Sequence, residues 1–202
     1  MKYPLPLSMP AGRHPIITQP YGDKTSVEWY RANGLNLTEH NGTDIVISFP
    51  GATAEQSRIA TYGARIVCPV PSAFLEKTWW DSPMSTKGNG IQIAWKEGVD
   101  RFQMLSWHCS EVNPQNTYKE GDTLGFMGNS GLVRPAPTNA CVHCGAHIHL
   151  MLYANGVLTD AMTKFDAKRW YTSQDTGIEK DLAPFQFFFD KIMGLLALLK
   201  VK

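Results

Sequence analysis

A mainly β fold is expected for this chain of 202 residues on three observations. Short runs rich in β-branched and aromatic residues recur between about Ile16 and Val157, Gly, Asn and Pro punctuate them, and helical periodicity is scarce. Ile45-Val46-Ile47, Ile91 to Trp95, Phe102 to Leu105 and His147 to Tyr153 read as strands of an antiparallel core. Gly88-Asn89-Gly90 and Gly128-Asn129-Ser130-Gly131 read as tight turns, since Gly and Asn tolerate positive φ. Helix is confined to a short piece, Thr53 to Ile59, and to the apolar segment after Pro184. There Asp190 and Lys191 interrupt the run short of the roughly 20 apolar residues of a membrane span. A C-terminal apolar helix packed on the domain or on another subunit is expected, with surface or partner contact through 185–199 as the alternative. No internal repeat is visible.

Hydrophobic content of 43% and charged content of 18% provide one core with short appendages. The expected division is a Pro-rich arm over 1–15, a catalytic domain over 16–157 and an extension over 158–202. A net charge of +1 gives no general electrostatic drive toward nucleic acid or an anionic membrane, so recognition must come from a local site. Pro4, Pro6 and Pro10 break up the first residues, so export by the ordinary signal route is not expected. Cys68, Cys109, Cys141 and Cys144 leave redox state open.

Five of the six histidines carry the functional argument. His40-Asn41-Gly42-Thr43-Asp44 precedes a strand, and Gly42 permits a bend turning His40 and Asp44 toward one point. In His147-Ile148-His149 the period of two sets both imidazoles on one face of a strand, with Ile148 on the other. His108 follows a strand-like run as Trp107-His108-Cys109. Each feature alone has a bland explanation: a solvated loop, a hydrogen-bonded pair of core histidines, a structural ring. Together they supply what a catalytic zinc site needs, namely three N or O ligands, an open position for water and nearby acid/base groups.

In this order, His40-x-x-x-Asp44, a lone His108 and Gly145-Ala146-His147-Ile148-His149 resemble the lysostaphin-like zinc endopeptidases. The resemblance takes in Ile17 to Lys24 and Glu120 to Gly131 and covers roughly Ile16 to Gly156. It implies an antiparallel β core of the duplicated-hybrid-motif type with a groove above one sheet. It further implies zinc ligands His40, Asp44 and His149, with His108 and His147 flanking the reacting water and carbonyl. The implied activity is Zn2+-dependent hydrolysis of peptide bonds in bacterial peptidoglycan, at cross-links or stem peptides. Such an enzyme acts on the cell wall, from an extracellular, periplasmic or phage-delivered position.

Two stretches depart from the family pattern. Ser48 to Tyr62 is an insertion after the first motif, and Leu132 to Cys144 is enlarged just before the His-x-His strand. Both are expected to set substrate choice. The second contains Cys141-Val142-His143-Cys144, which suits packed thiols, a disulfide or a metal clip. Cys109 should point away from His108 along a strand, which disfavours a Cys/His nucleophilic pair. The competing function is an inactive module that keeps the fold and metal in a phage particle or wall assembly; a metal-free β domain would require all five positions to be coincidental.

Overall fold

The computed structural model describes residues 2–80 and 87–172. Along the chain run β1 (Tyr3–Pro4), β2 (Leu7–Met9), β3 (His14–Gln19), α1 (Val27–Ala32), β4 (Thr43–Ser48), α2 (Ala54–Thr61), β5 (Arg65–Val67) and β6 (Ser72–Trp79). They are followed by β7 (Asn89–Glu97), β8 (Asp100–Val112), β9 (Thr117–Lys119), β10 (Thr123–Met127), β11 (Ile148–Ala154), β12 (Val157–Thr159), β13 (Phe165–Asp166) and β14 (Tyr171–Thr172). The expected mainly β architecture is the one observed. The apolar C-terminal segment lies outside the described residues, and no described helix is long and apolar enough to cross a membrane.

Strand β8 organises the sheet. Its first half is sandwiched between β7 and β11, and its second half pairs with β10, all antiparallel. From β11 the sheet continues through β4 to β3; from β10 it continues through β5 and β2 to β14. Alternation along these strands sends Ile45, Ile47, Ile91, Ile93, Met104, Ile148, Leu150 and Leu152 into one apolar core, each at most 1% exposed.

The prolines of the first residues limit strand length without preventing burial. Leu5, Leu7 and Met9 are completely buried in that core. β1 pairs with β13, while β2 pairs with β5 and β14. Residues read from sequence as an arm and as an extension thus meet on the sheet, where Pro suits short peripheral strands that give up few ladder hydrogen bonds.

The Ser48 to Tyr62 insertion forms α2, close to the expected helix. Thr53 caps it through a reciprocal hydrogen-bond pair with Gln56. Thr61 then accepts the Ile47 amide through Oγ1 at 2.7 Å, and the Ser48 and Ser57 hydroxyls meet at 2.9 Å. These buried polar links fix α2 to β4, three and four residues beyond Asp44.

Candidate metal and catalytic site

Pairing of β4 with β11 makes Asp44 and His149 direct cross-strand partners. His149 and Trp107 are partners between β11 and β8. The carboxylate, its imidazole neighbour and the β8 end are therefore brought together by ladder register alone. His40 enters from the loop before β4. Its amide donates to the Asp23 carbonyl at 2.7 Å and its carbonyl accepts from Gly22 at 2.8 Å.

His40 Nε2, Asp44 Oδ1 and His149 Nδ1 form a triangle with edges of 3.3, 2.8 and 3.2 Å. Ligands of a tetrahedral zinc at about 2.0–2.1 Å lie about 3.3–3.4 Å apart, so the triangle is only slightly tighter than a filled site. The proton inventory points the same way. His40 Nδ1 lies 3.1 Å from the Pro20 carbonyl, which can only accept, so Nδ1 carries the proton and Nε2 presents a lone pair to Asp44. Two lone pairs facing each other in a buried site need a cation between them, proton or metal.

Electrostatic directions in the metal-free site follow from the same packing. Burial pushes His40 down, but the hydrogen bond and charge of Asp44 outweigh it and raise the ring above its usual value. Burial pushes the Asp44 carboxyl up, yet the His147 charge and hydrogen bonds from His149 and His40 hold it well below the carboxylate range. His149 is lowered, chiefly by burial.

The chain bends at Gly42 as expected, and the glycine serves the site in a second way. Its φ is not positive; instead, a Cβ there would come 2.5 Å from His149 Nε2. The glycine is needed for close approach to the His149 ring, not for an unusual backbone angle. Two aromatic faces hold the other sides of these imidazoles: Trp107 stacks on His149 with centroids 5.1 Å apart, and Tyr30 of α1 lies parallel to His40 at 6.2 Å.

His108 reaches the cleft through a bulge. Asn89 pairs with Cys109 and Ile91 with Ser106, so Gly90 alone opposes both Trp107 and His108. His108 takes φ 62°, a left-handed conformation unusual for a side chain of this size. The irregularity lets two consecutive residues, Trp107 and His108, line the cleft, which strict alternation forbids. Cys109 remains in the core with its thiol pushed up to about 12 by burial, unsuited to nucleophilic work.

His108 Nδ1 lies 2.7 Å from the Ser130 carbonyl and His147 Nδ1 lies 2.7 Å from the Gly145 carbonyl. Both rings thus carry the proton on Nδ1 and offer Nε2 as a base. Their centroids are 4.7 Å apart, and His147 Nε2 is 3.6 Å from Asp44 Oδ1. Burial, then the His147 and His149 charges, hold His108 well below the usual histidine range, so it is neutral at pH 7. All five residues singled out from sequence line one cleft of about 290 Å3, along with Trp29, Tyr30 and Trp107, which sequence patterns did not point out. Trp107 had one available signal, its adjacency to His108; Tyr30 had none.

The enlarged stretch before β11 forms a wall of this cleft through Leu132, Val133 and Arg134. Cys141 and Cys144 are joined by a disulfide, which resolves the open choice for this pair. Asn129 Nδ2 donates to the Val142 and Cys144 carbonyls at 2.8 and 2.9 Å. The His143 ring lies on Tyr62 at 3.9 Å between centroids, so the two departures from the family pattern touch each other.

No protein-family model and no curated protein matches this sequence. Among solved structures, a zinc-containing peptidase from Vibrio cholerae aligns at 18% identity over 80% of this chain and 40% of that one, with a TM-score of 0.50. A chain of the SpoIIQ–SpoIIIAH pore-forming complex aligns at 14% identity over 83% and 92%, with a TM-score of 0.51. The catalytic domain of lysostaphin from Staphylococcus simulans aligns at 20% identity over 71% and 86%, with a TM-score of 0.46. The chain has a lysostaphin-like peptidase fold, and spans well under half of the Vibrio protein. One fold here accompanies both a peptidase and a pore-forming assembly, so function has to be argued from the site.

Proposed function

We propose that this protein is a zinc-dependent endopeptidase that hydrolyses peptide bonds in bacterial peptidoglycan, acting on the cell wall outside the cytoplasm. The observation that carries the reading is the coexistence of a three-atom ligand triangle with two further histidines whose Nδ1 atoms are both committed to backbone carbonyls. A structural metal site has no use for the second pair.

His40, Asp44 and His149 would hold the zinc. When bound, such a metal supplies a water acidified to a pKa of about 7 and positive charge for a developing oxyanion. The chain's own groups do the rest. Gly42 and Trp107 orient His149, and the Pro20 carbonyl orients His40 and raises its basicity as a ligand. His108 and His147, their Nδ1 atoms committed to backbone carbonyls, have Nε2 left to exchange a proton beside the triangle. One accepts a proton from the attacking water and the pair delivers a proton to the leaving amine. Protonated, either ring also stabilises the negative charge of the tetrahedral intermediate.

The test is zinc content together with clearing of purified peptidoglycan by wild type, His149→Ala and His108→Ala. Stoichiometric zinc in wild type and His108→Ala, zinc lost from His149→Ala, and clearing lost from both variants is the expected pattern. Zinc binding without hydrolysis of wall material from any source would favour the inactive module instead. Absence of zinc binding would remove the ligand assignment altogether.

A further inference from the structure

Three basic residues line the cleft beside the histidine site: Arg58 on α2, Lys87 just before β7, and Arg134 in the stretch that follows Leu132. Among the described residues the only carboxylate in the lining is Asp44, which belongs to the candidate ligand triangle. Among the described residues no carboxylate pairs with Arg58, Lys87 or Arg134, whereas Arg101 and Lys164 elsewhere on the surface are paired with Glu76 and Glu97. Lys87 instead lies over the Trp107 ring at 5.4 Å. Cationic side chains that outnumber the described carboxylates at the wall of a concave, partly apolar cleft concentrate positive potential there.

The two arginines belong to the two insertions. α2 is anchored to β4 by the Thr61 and Ser48 hydrogen bonds, and the 132–144 stretch is closed by its disulfide and by Asn129. The Tyr62–His143 contact joins them. Guanidinium groups held on such supports bind planar carboxylates in two-pronged fashion.

We infer that Arg58 and Arg134, with Lys87, bind a free carboxylate of the substrate peptide close to the scissile bond. This deepens the peptidase reading and rests on it: the substrate is an acidic stem peptide, not an uncharged bridge such as oligoglycine. Stem peptides offer such groups, the α-carboxylate of γ-linked glutamate and the free carboxylate of diaminopimelate; a glycine bridge has none between its ends.

The test uses two pairs of synthetic stem pentapeptides, identical except that the glutamyl or the diaminopimelyl carboxylate is free or converted to the carboxamide. Binding is measured by calorimetry and cleavage by chromatography, for wild type, Arg58→Gln, Arg134→Gln and the double variant, with zinc content and thermal unfolding as controls. The free acid of at least one pair should bind about 10-fold or more tighter than its amide, as charge-assisted hydrogen bonds warrant. Each single variant should reduce that ratio and the double variant should bring it near one, while amide binding stays unchanged. Equal binding of acid and amide in both pairs overturns the inference. So does a preference that survives when Lys87→Gln is added to the double variant, because the carboxylate then sits elsewhere, on the metal for instance. Acid-selective binding without cleavage keeps the carboxylate site and removes the peptidase reading, so the two failures are distinct.

Discussion

The floor and the rim of the cleft are built by different means. On the floor, Asp44, His149 and Trp107 are neighbours because β4, β11 and β8 pair in one register. The ladder fixes the position of each side chain to a fraction of a strand spacing, and a slip by one residue would turn every one of them away. The rim rests on α2 and the 132–144 stretch, which no ladder among the described residues joins; hydrogen bonds of Thr61, Ser57 and Asn129, a ring contact and a disulfide hold it. The proposed chemistry falls on the part fixed by many backbone hydrogen bonds, and the proposed selection of substrate on the part fixed by few.

This contrast implies that floor substitutions abolish turnover while rim substitutions redistribute it. The largest effect is expected from Asp44→Asn. The amide preserves shape but removes the charge that raises His40 and accepts from His149. Zinc affinity should fall by at least about 100-fold, since even outer-shell changes cost 10–100-fold. Competition with a chromophoric chelator measures it. Near-wild-type affinity would mean that the triangle is not the metal site.

Next comes Gly42→Ala. The added Cβ cannot coexist with the present His149 ring, and the Leu150 carbonyl at 3.0 Å blocks the other direction. The His149 ring must move, and zinc affinity should fall by about 10–100-fold with the fold intact. The same change at Gly98, where nothing lies within 4 Å, should leave zinc binding untouched, although its positive φ costs some stability.

The two regions also differ in how far sequence revealed them. His-x-His and His-x-x-x-Asp were readable because period two and strand pairing are regular, so spacing alone fixes faces. The bulge at His108 was not readable: Trp107-His108-Cys109 looks like any alternating run, and only its pairing with Gly90 shows that two successive residues face the cleft. Gly42 was singled out for a bend, which the chain makes there, but its close approach to a ring 107 positions later leaves no local mark. The rim insertions were visible as extra length, but which side chains meet depends on tertiary contacts between Tyr62 and His143 that no short-range pattern encodes.

A smaller effect concerns acid stability of the metal-free floor. His108 and His149 sit below their usual values when folded, whereas the unfolded rings titrate near pH 6.5. As pH falls below about 6.5 the unfolded chain takes up protons that folded His108 and His149 refuse, so stability present at neutral pH declines; raised His40 opposes this in part. The Asp44 contribution is lost only at much lower pH, below the ordinary carboxylate range. His108→Asn, chosen because Asn tolerates φ 62°, should therefore show a shallower drop in urea midpoint between pH 7.5 and 5.5 with chelator present. An unchanged drop would assign the loss to other groups.

The mildest change is expected at the rim. Cys141→Ser together with Cys144→Ser removes a cross-link that closes a loop of only a few residues, for which chain entropy allows about 2 kcal/mol. Because Thr138 and Cys141 also exchange backbone hydrogen bonds, and Asn129 still holds the Val142 and Cys144 carbonyls, the loop should keep its general path. Zinc affinity should match wild type, since no ligand contacts the pair. What should change is discrimination: the Arg134 wall loosens against α2, and the preference between acidic and amidated peptides should narrow by a few fold while the better substrate is still cleaved. If zinc binding falls with the disulfide, floor and rim are mechanically coupled through Tyr62 and β4, and the division drawn between them does not hold.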